Sequence, residues 1–180
     1  LPTFAHELGH TYGLAHANLW AVTDANPVSL TGRTVEYGDP FDMMADTAHA
    51  FSTPVDRRYH FNPWAKNRLG WLPAGAVTTV ARSGIYRIYR FDSKAATLTQ
   101  PLALKIFRDG VRWYWVGFRQ NFSTGASLSN DAYVMWGFNN EQQSQLLDLT
   151  TQGARPKHAG LAIDATFTAS TYGVPVTPVA

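Results

Sequence analysis

Five residues in this chain stand in a spacing that can do chemistry: His6, Glu7, His10, Gly13 and His16, in the pattern H-E-x-x-H-x-x-G-x-x-H. Three imidazoles can give three neutral nitrogen ligands to one divalent cation. A fourth position then stays open for water, as in catalytic zinc sites. Such a water has its pKa lowered to about 7. Glu7, beside the first ligand, is the candidate base that takes its proton and returns it to a leaving group. The chemistry on offer is hydrolysis by activated water. The five fixed letters would arise by chance on the order of once in 10⁵ chains of this length, and the bare H-E-x-x-H core roughly once in a hundred. Gly13 and His16 therefore carry the specificity.

The spacing dictates what must position these groups. His6 and His10 lie one turn apart on one face of an α-helix. On an unbroken helix His16 would point about 120° away, about 9 Å further along the axis. Gly13 can adopt positive φ at no Cβ cost, so it is expected to end the helix and bring His16 round. Ala5, Leu8, Leu14 and Ala15 give an apolar face that should dock on a core. The competing reading, a polar helix surface with no metal, carries weight for a lone H-E-x-x-H and little for the full motif.

The long motif resembles that of the metzincin metalloproteases. The stretch Glu36-Tyr37-Gly38-Asp39-Pro40-Phe41-Asp42-Met43-Met44 and the later Leu69-Gly70-Trp71-Leu72 resemble the gametolysin (autolysin) family within that clan. The resemblance covers residues 3–72 and is only loose beyond. It implies an α+β fold, with residues 1–72 the C-terminal portion of a metzincin catalytic domain. It implies Zn²⁺ held by His6, His10 and His16, catalysis by Glu7, and Met44 rather than Met43 as the methionine of the turn beneath the metal. It implies a protein or peptide substrate, such as an extracellular-matrix or cell-wall protein, and a secreted location. Two departures stand out. The chain starts five residues before the first ligand, so it reads as a fragment lacking the upstream subdomain. Ala45 and Asp46 stand where some metzincins place an oxyanion-stabilising tyrosine. Tyr12, Tyr37 and Tyr59 are left to packing or hydrogen bonding. A methionine also fills core gaps with no functional reason.

Composition sets bounds. The chain has 180 residues, 45% hydrophobic and 16% charged, which suits a folded protein and excludes a disordered one. Net charge is +2 and the arginines are scattered, Arg57-Arg58 reading as surface, so nucleic-acid binding finds no support. No apolar run approaches the roughly 18 residues of a membrane span. Cysteine is absent, which removes disulfides and thiolate metal sites.

Residues 18–58 read as a long loop framing the metal, with Ser29, Thr31 and Glu36 as candidate pocket wall. Plain surface is the weightier reading of each singly. Asn62 and Pro63 should open a short helix closed by Gly70, with Trp64 and Trp71 anchoring it. Residues 73–180 read as a second, antiparallel β-sandwich-like domain. Its strands are expected at 78–80, 84–90, 103–107, 111–119, 133–137 and 161–167. Asp109-Gly110 should make a hairpin, and the tail 174–178 reads as extended and open to fraying. Trp113, Trp115 and Trp136 read as core before they read as a glycan platform. His49, His60 and His158 are not expected to be ligands. An alternative to the enzyme is a catalytically incompetent zinc-binding fragment whose β-rich part serves adhesion or substrate docking.

Overall fold

The computed structural model describes residues 2–45, 60–93, 97, 99–120, 130–150, 159–169 and 173–180. Among these the fold is mixed α and β: a seven-stranded sheet, a two-stranded ribbon and two α-helices. Helix α1 spans Pro2–Thr11 and α2 spans Pro63–Arg68. The strands are β1 (Ala17–Ala21), β2 (Arg33–Val35), β3 (Val77–Val80), β4 (Ala103–Phe107), β5 (Arg112–Phe118), β6 (Ala132–Phe138), β7 (Ser144–Leu147), β8 (Phe167–Ala169) and β9 (Val174–Val176). The large sheet runs β2-β1-β7-β6-β5-β4-β3, and β8 pairs with β9.

Both helices end alike. After α1, Gly13 sits at φ +85°, its N–H donates to His10 O at 2.9 Å, and the Leu14 N–H donates to Gly9 O at 3.1 Å. After α2, Gly70 sits at φ +70°, with Gly70 N–H to Asn67 O at 3.1 Å and Trp71 N–H to Lys66 O at 2.9 Å. These are the paired bonds of a glycine-terminated helix, which satisfy the last orphan carbonyls. At the other end of α2, Asn62 Oδ1 accepts from the Ala65 N–H at 2.8 Å and Pro63 takes the first helical position.

The sheet buries both faces. In β6, Tyr133 and Met135 point one way while Val134 and Trp136 point the other, all four buried. A strand apolar on both faces needs a covering layer on each side. On one face Ala17, Leu19, Met135, Leu146 and Trp115 pack with Trp64 and Ala65 of α2 and with Leu14 and Met44. On the other, Tyr114, Val116, Trp136 and Leu147 pack with Val28, Leu161 and Phe167.

Several expectations change here. An antiparallel sandwich was expected from 73 onward, whereas the sheet is mixed: β1 runs parallel to β7 and β3 parallel to β4. The sheet also draws β1 and β2 from residues 1–72, so its strands lie on both sides of the expected 72/73 boundary. The stretch read as a loop contains β2 and all of β1 but Ala17. Residues 84–90 form no strand, although they alternate: Ile85, Arg87 and Tyr89 face solvent while Tyr86 and Ile88 are half-buried, Ile88 against the core, and the segment joins neither sheet. It serves as the connector that a parallel β3–β4 pair requires. Around Leu161 there is one bridge to Ala132, with the strand starting only at Phe167. The tail is extended as expected, and its first part, Val174–Val176, pairs as β9 with β8. Trp64 is buried as expected, but Trp71 is 49% exposed and only edges against Phe61. The hairpin at Asp109-Gly110 forms, closed by the Asp109 carboxylate, which accepts from the Val111 and Arg112 N–H groups at 2.8 and 2.6 Å.

Candidate metal centre

Helix α1 carries His6 and His10 on one face, the glycine-ended exit delivers His16, and the three rings close on one another. Their centroids are 4.7 Å (His6–His10), 5.0 Å (His10–His16) and 5.6 Å (His6–His16) apart. One ring nitrogen from each lies within 4.8 Å of the others. Position 16 leads directly into β1 and is fixed from both sides: the Ala15 N–H donates to Gln142 O at 2.7 Å and the Ala17 N–H to Met44 O at 2.9 Å.

Hydrogen bonds to the outer nitrogens decide which atoms face inward. His6 Nδ1 lies 3.0 Å from Met43 O, and His10 Nδ1 lies 2.8 Å from Leu14 O. Backbone carbonyls only accept, so both Nδ1 atoms carry a proton, and in the neutral rings both Nε2 atoms carry a lone pair. His16 Nδ1 is 2.7 Å from Glu36 Oε1, which sets the same tautomer. Metal-ligating histidines are oriented in this way, by a carbonyl or carboxylate on the far nitrogen. His6 Nε2 and His10 Nε2 stand only 3.1 Å apart. Two lone pairs at that distance repel unless a metal ion or a shared proton lies between them. Tetrahedral zinc with bonds of about 2.0–2.1 Å would hold two nitrogens about 3.3 Å apart. The residues present therefore fit a divalent metal with three imidazole ligands.

Of the supporting residues, Gly13 ends α1 as expected. Glu7 is exposed to solvent next to His6. Met44 is fully buried, and its Sδ lies so close to Gly9 that a Cβ there would approach it to 2.3 Å. Met43 contributes its carbonyl to His6. Of the apolar helix face expected to dock, only Leu14 is buried; Leu8 and Ala15 are exposed, and the contact with the core is made at Gly9. Tyr12 is exposed. Tyr37 is not mere packing filler: its ring lies 3.8 Å from that of His16 and 6.2 Å from that of His6. Ser29 is buried, its hydroxyl 2.9 Å from that of Thr31 and its carbonyl accepting from the indole of Trp20 at 3.0 Å. His60 is not part of the imidazole cluster; burial first, then Lys66, push its pKa down to about 4. His49, Tyr59 and His158 lie outside the described residues, as do Asp46 and Arg57-Arg58. The three tryptophans cannot form one platform. Trp136 opposes Tyr114 across β5 and β6, so it faces away from Trp113 and Trp115, which oppose Gly137 and Met135.

The roles of Glu36, Tyr37 and Gly9 escaped the sequence reading. Glu36 was weighed only as pocket wall, since nothing in linear spacing ties it to His16 twenty positions away. The Gly9 signal was available: a residue without a Cβ between two ligands suggests close approach from below.

Beneath the imidazoles lies a buried polar network that holds the turn supplying Met43 and Met44. Asp42 accepts from the Met44 and Asn62 N–H groups, both at 2.6 Å. Asp39 accepts from the Tyr133 hydroxyl and, at 3.0 Å, from the Phe41 N–H. Arg119 donates to Phe41 O at 2.6 Å. Burial, then the neighbouring Asp42, pushes the Asp39 carboxyl up to about 8; burial also raises Asp42, to about 6, against its two N–H donors. A raised carboxyl pKa stabilises the fold below the unfolded value, here 3.8, and the stabilisation is lost as pH climbs through the folded value. His60 opposes this, since a depressed base gains stability as pH rises, but only between about 4 and 6.5. Lys66, lowered to about 8 by burial, acts above that. The window from 6.5 to 8 is left to Asp39. Urea unfolding is expected to show stability falling across it by up to about 2 kcal/mol. Asp39→Asn should flatten the slope, and an unchanged slope would contradict this account of the network.

Neither family models, nor curated proteins, nor solved structures give any match to this chain.

Proposed function

We propose that this chain carries the active site of a zinc-dependent endopeptidase of metzincin type, similar to the gametolysin family and acting on extracellular proteins. The observation that supports it most is the gathering of three imidazoles, one ring nitrogen of each within 4.8 Å of the others, on rings whose Nδ1 is tied to an acceptor. His6, His10 and His16 would hold the metal. Zinc is the default for such a donor set, which also accepts cobalt or copper. When bound, the ion supplies Lewis acidity, polarising a substrate carbonyl and acidifying a water molecule.

Glu7 takes the proton of the attacking water and passes it to the departing amine. Met44 is the methionine of the turn: it is an apolar floor seated against Gly9 and not a ligand. Its neighbour Met43 orients His6 through a carbonyl. Leu14 O does the same for His10. The chain thus fixes two ligands through backbone atoms of two separate turns. The shared sheet, built from residues on both sides of 72, weighs against a separately hung docking module and for a framework under the site. A helix long and apolar enough to cross a membrane is absent among the described residues.

Casein cleavage is the test. Activity should vanish on treatment with a chelator and return on adding back one equivalent of zinc. Cleavage that persists in metal-free protein would exclude this reading.

A further inference from the structure

Resting on the metal reading above, we propose that Glu36 and Tyr37 act as a positioning pair that clamps the third ligand, His16, from two directions. His6 and His10 are held by the helix they share and by backbone carbonyls. His16 lies beyond the helix, and among the described residues no backbone carbonyl holds its outer nitrogen. It has Glu36, whose carboxylate accepts the Nδ1–H at 2.7 Å. It also has the ring of Tyr37, tilted by 32° at 3.8 Å between centroids. One interaction fixes rotation about the ring axis and tautomer; the other closes the face from which the ring could swing away.

The backbone supports this assignment. Tyr37 is one of three non-glycine residues at positive φ among those described, at φ +59°. Residues with a Cβ disfavour this region, and tyrosine has no side-chain bond to its own backbone that would ease it. Strain of this kind is retained where the surroundings enforce it, commonly at functional sites. Here the enforcement is visible. The Tyr37 N–H donates to Asn18 Oδ1 at 3.0 Å, and buried Asn18 is itself tied to Gln143 at 2.7 Å. Gly38 follows with its N–H on Val35 O at 3.1 Å, packed so tightly that a Cβ would lie 2.6 Å from Leu19 Cβ. A glycine at 37 would meet the backbone demand without strain. The contact of its ring with His16 is a reason for a tyrosine there.

Cobalt(II) added to the metal-free 180-residue chain reads this directly, through affinity and the visible absorption of the bound ion. Tyr37→Phe keeps the ring contact and should bind within about twofold of wild type. Tyr37→Gly should leave the metal-free chain as heat-stable as wild type or more so, yet bind cobalt about tenfold more weakly with an altered spectrum. Glu36→Ala should weaken binding by about 10- to 100-fold. Glu36→Gln, whose amide oxygen still accepts the Nδ1–H, should fall between. If Tyr37→Gly and Glu36→Ala both bind like wild type, the clamp is wrong. If Tyr37→Gly loses heat stability in step with affinity, the residue serves the fold and the clamp is again wrong. A wild-type chain that takes up no cobalt overturns the metal reading itself.

Discussion

Glu7→Gln is expected to keep its zinc and to lose about 10²- to 10⁴-fold in kcat, the range general base catalysis supplies. Glu7 lies on the solvent side of α1, so replacing it leaves the packing beneath the helix alone. The ligand rings depend on Met43 O, Leu14 O and Glu36, none of which the substitution touches. Glutamine matches the shape of glutamate but cannot take a proton at neutral pH. The loss should therefore appear in kcat, with zinc content and KM close to wild type. Glu7→Asp keeps the carboxylate but shortens its reach and should fall between. Measuring zinc per chain beside casein hydrolysis separates the cases. Full activity in a zinc-loaded Glu7→Gln protein would remove Glu7 from the mechanism.

The second large effect lies under the helix. Gly9→Ala is expected to destabilise the chain by about 1–3 kcal/mol and to weaken zinc binding at least about tenfold. On helix propensity alone alanine would be the better residue by about 1 kcal/mol. Packing opposes it: the new methyl would lie 2.3 Å from Met44 Sδ, 3.1 Å from its Cε and 3.3 Å from the Phe61 ring. Either Met44 is expelled from its buried seat or α1 lifts away. Lifting would stretch the 3.0 Å bond by which Met43 O orients His6. The double substitution decides between packing and ligation. Met44→Ala alone should cost about 2–5 kcal/mol. Combined with Gly9→Ala it should cost less than the sum, because each side chain then vacates the other's space. Met44→Leu, similar in volume, should keep zinc affinity near wild type. Urea unfolding and zinc titration of the four proteins check this. Strict additivity would mean that the two residues do not share the space.

How far the sequence foretold these features depends on how local each signal is. The convergence of His6, His10 and His16 was legible because helical periodicity and one glycine determine it within eleven residues. The caps of α2 were legible for the same reason. Strands β5 and β6 could be read because a run apolar at both parities must lie between two layers. Strand β1 was missed: Ala17–Ala21 is short, its neighbour β2 has only three residues, and its other partner is β7, more than a hundred residues away. Parallel pairing leaves no turn signature, so the mixed sheet could not be told from an antiparallel one. The stretch 84–90 alternates as a strand does, with Tyr86 and Ile88 half-buried, yet it joins neither sheet, and only the tertiary structure reveals that. Glu36 meets His16 because β2 folds back on β1. Its role is a property of pairing register, not of residue type. The buried Asp39, Asp42, Tyr133 and Arg119 network is gathered from three distant segments and has no linear pattern.

X-ray absorption at the zinc edge of the loaded chain puts the shared imidazole site to the most direct test. Three nitrogen scatterers of imidazole type and one oxygen should appear at about 2.0–2.1 Å, and His16→Ala should remove one imidazole while leaving two. Two or fewer imidazoles in the unaltered protein, or a spectrum indifferent to the loss of His16, would show that these rings do not share one ion.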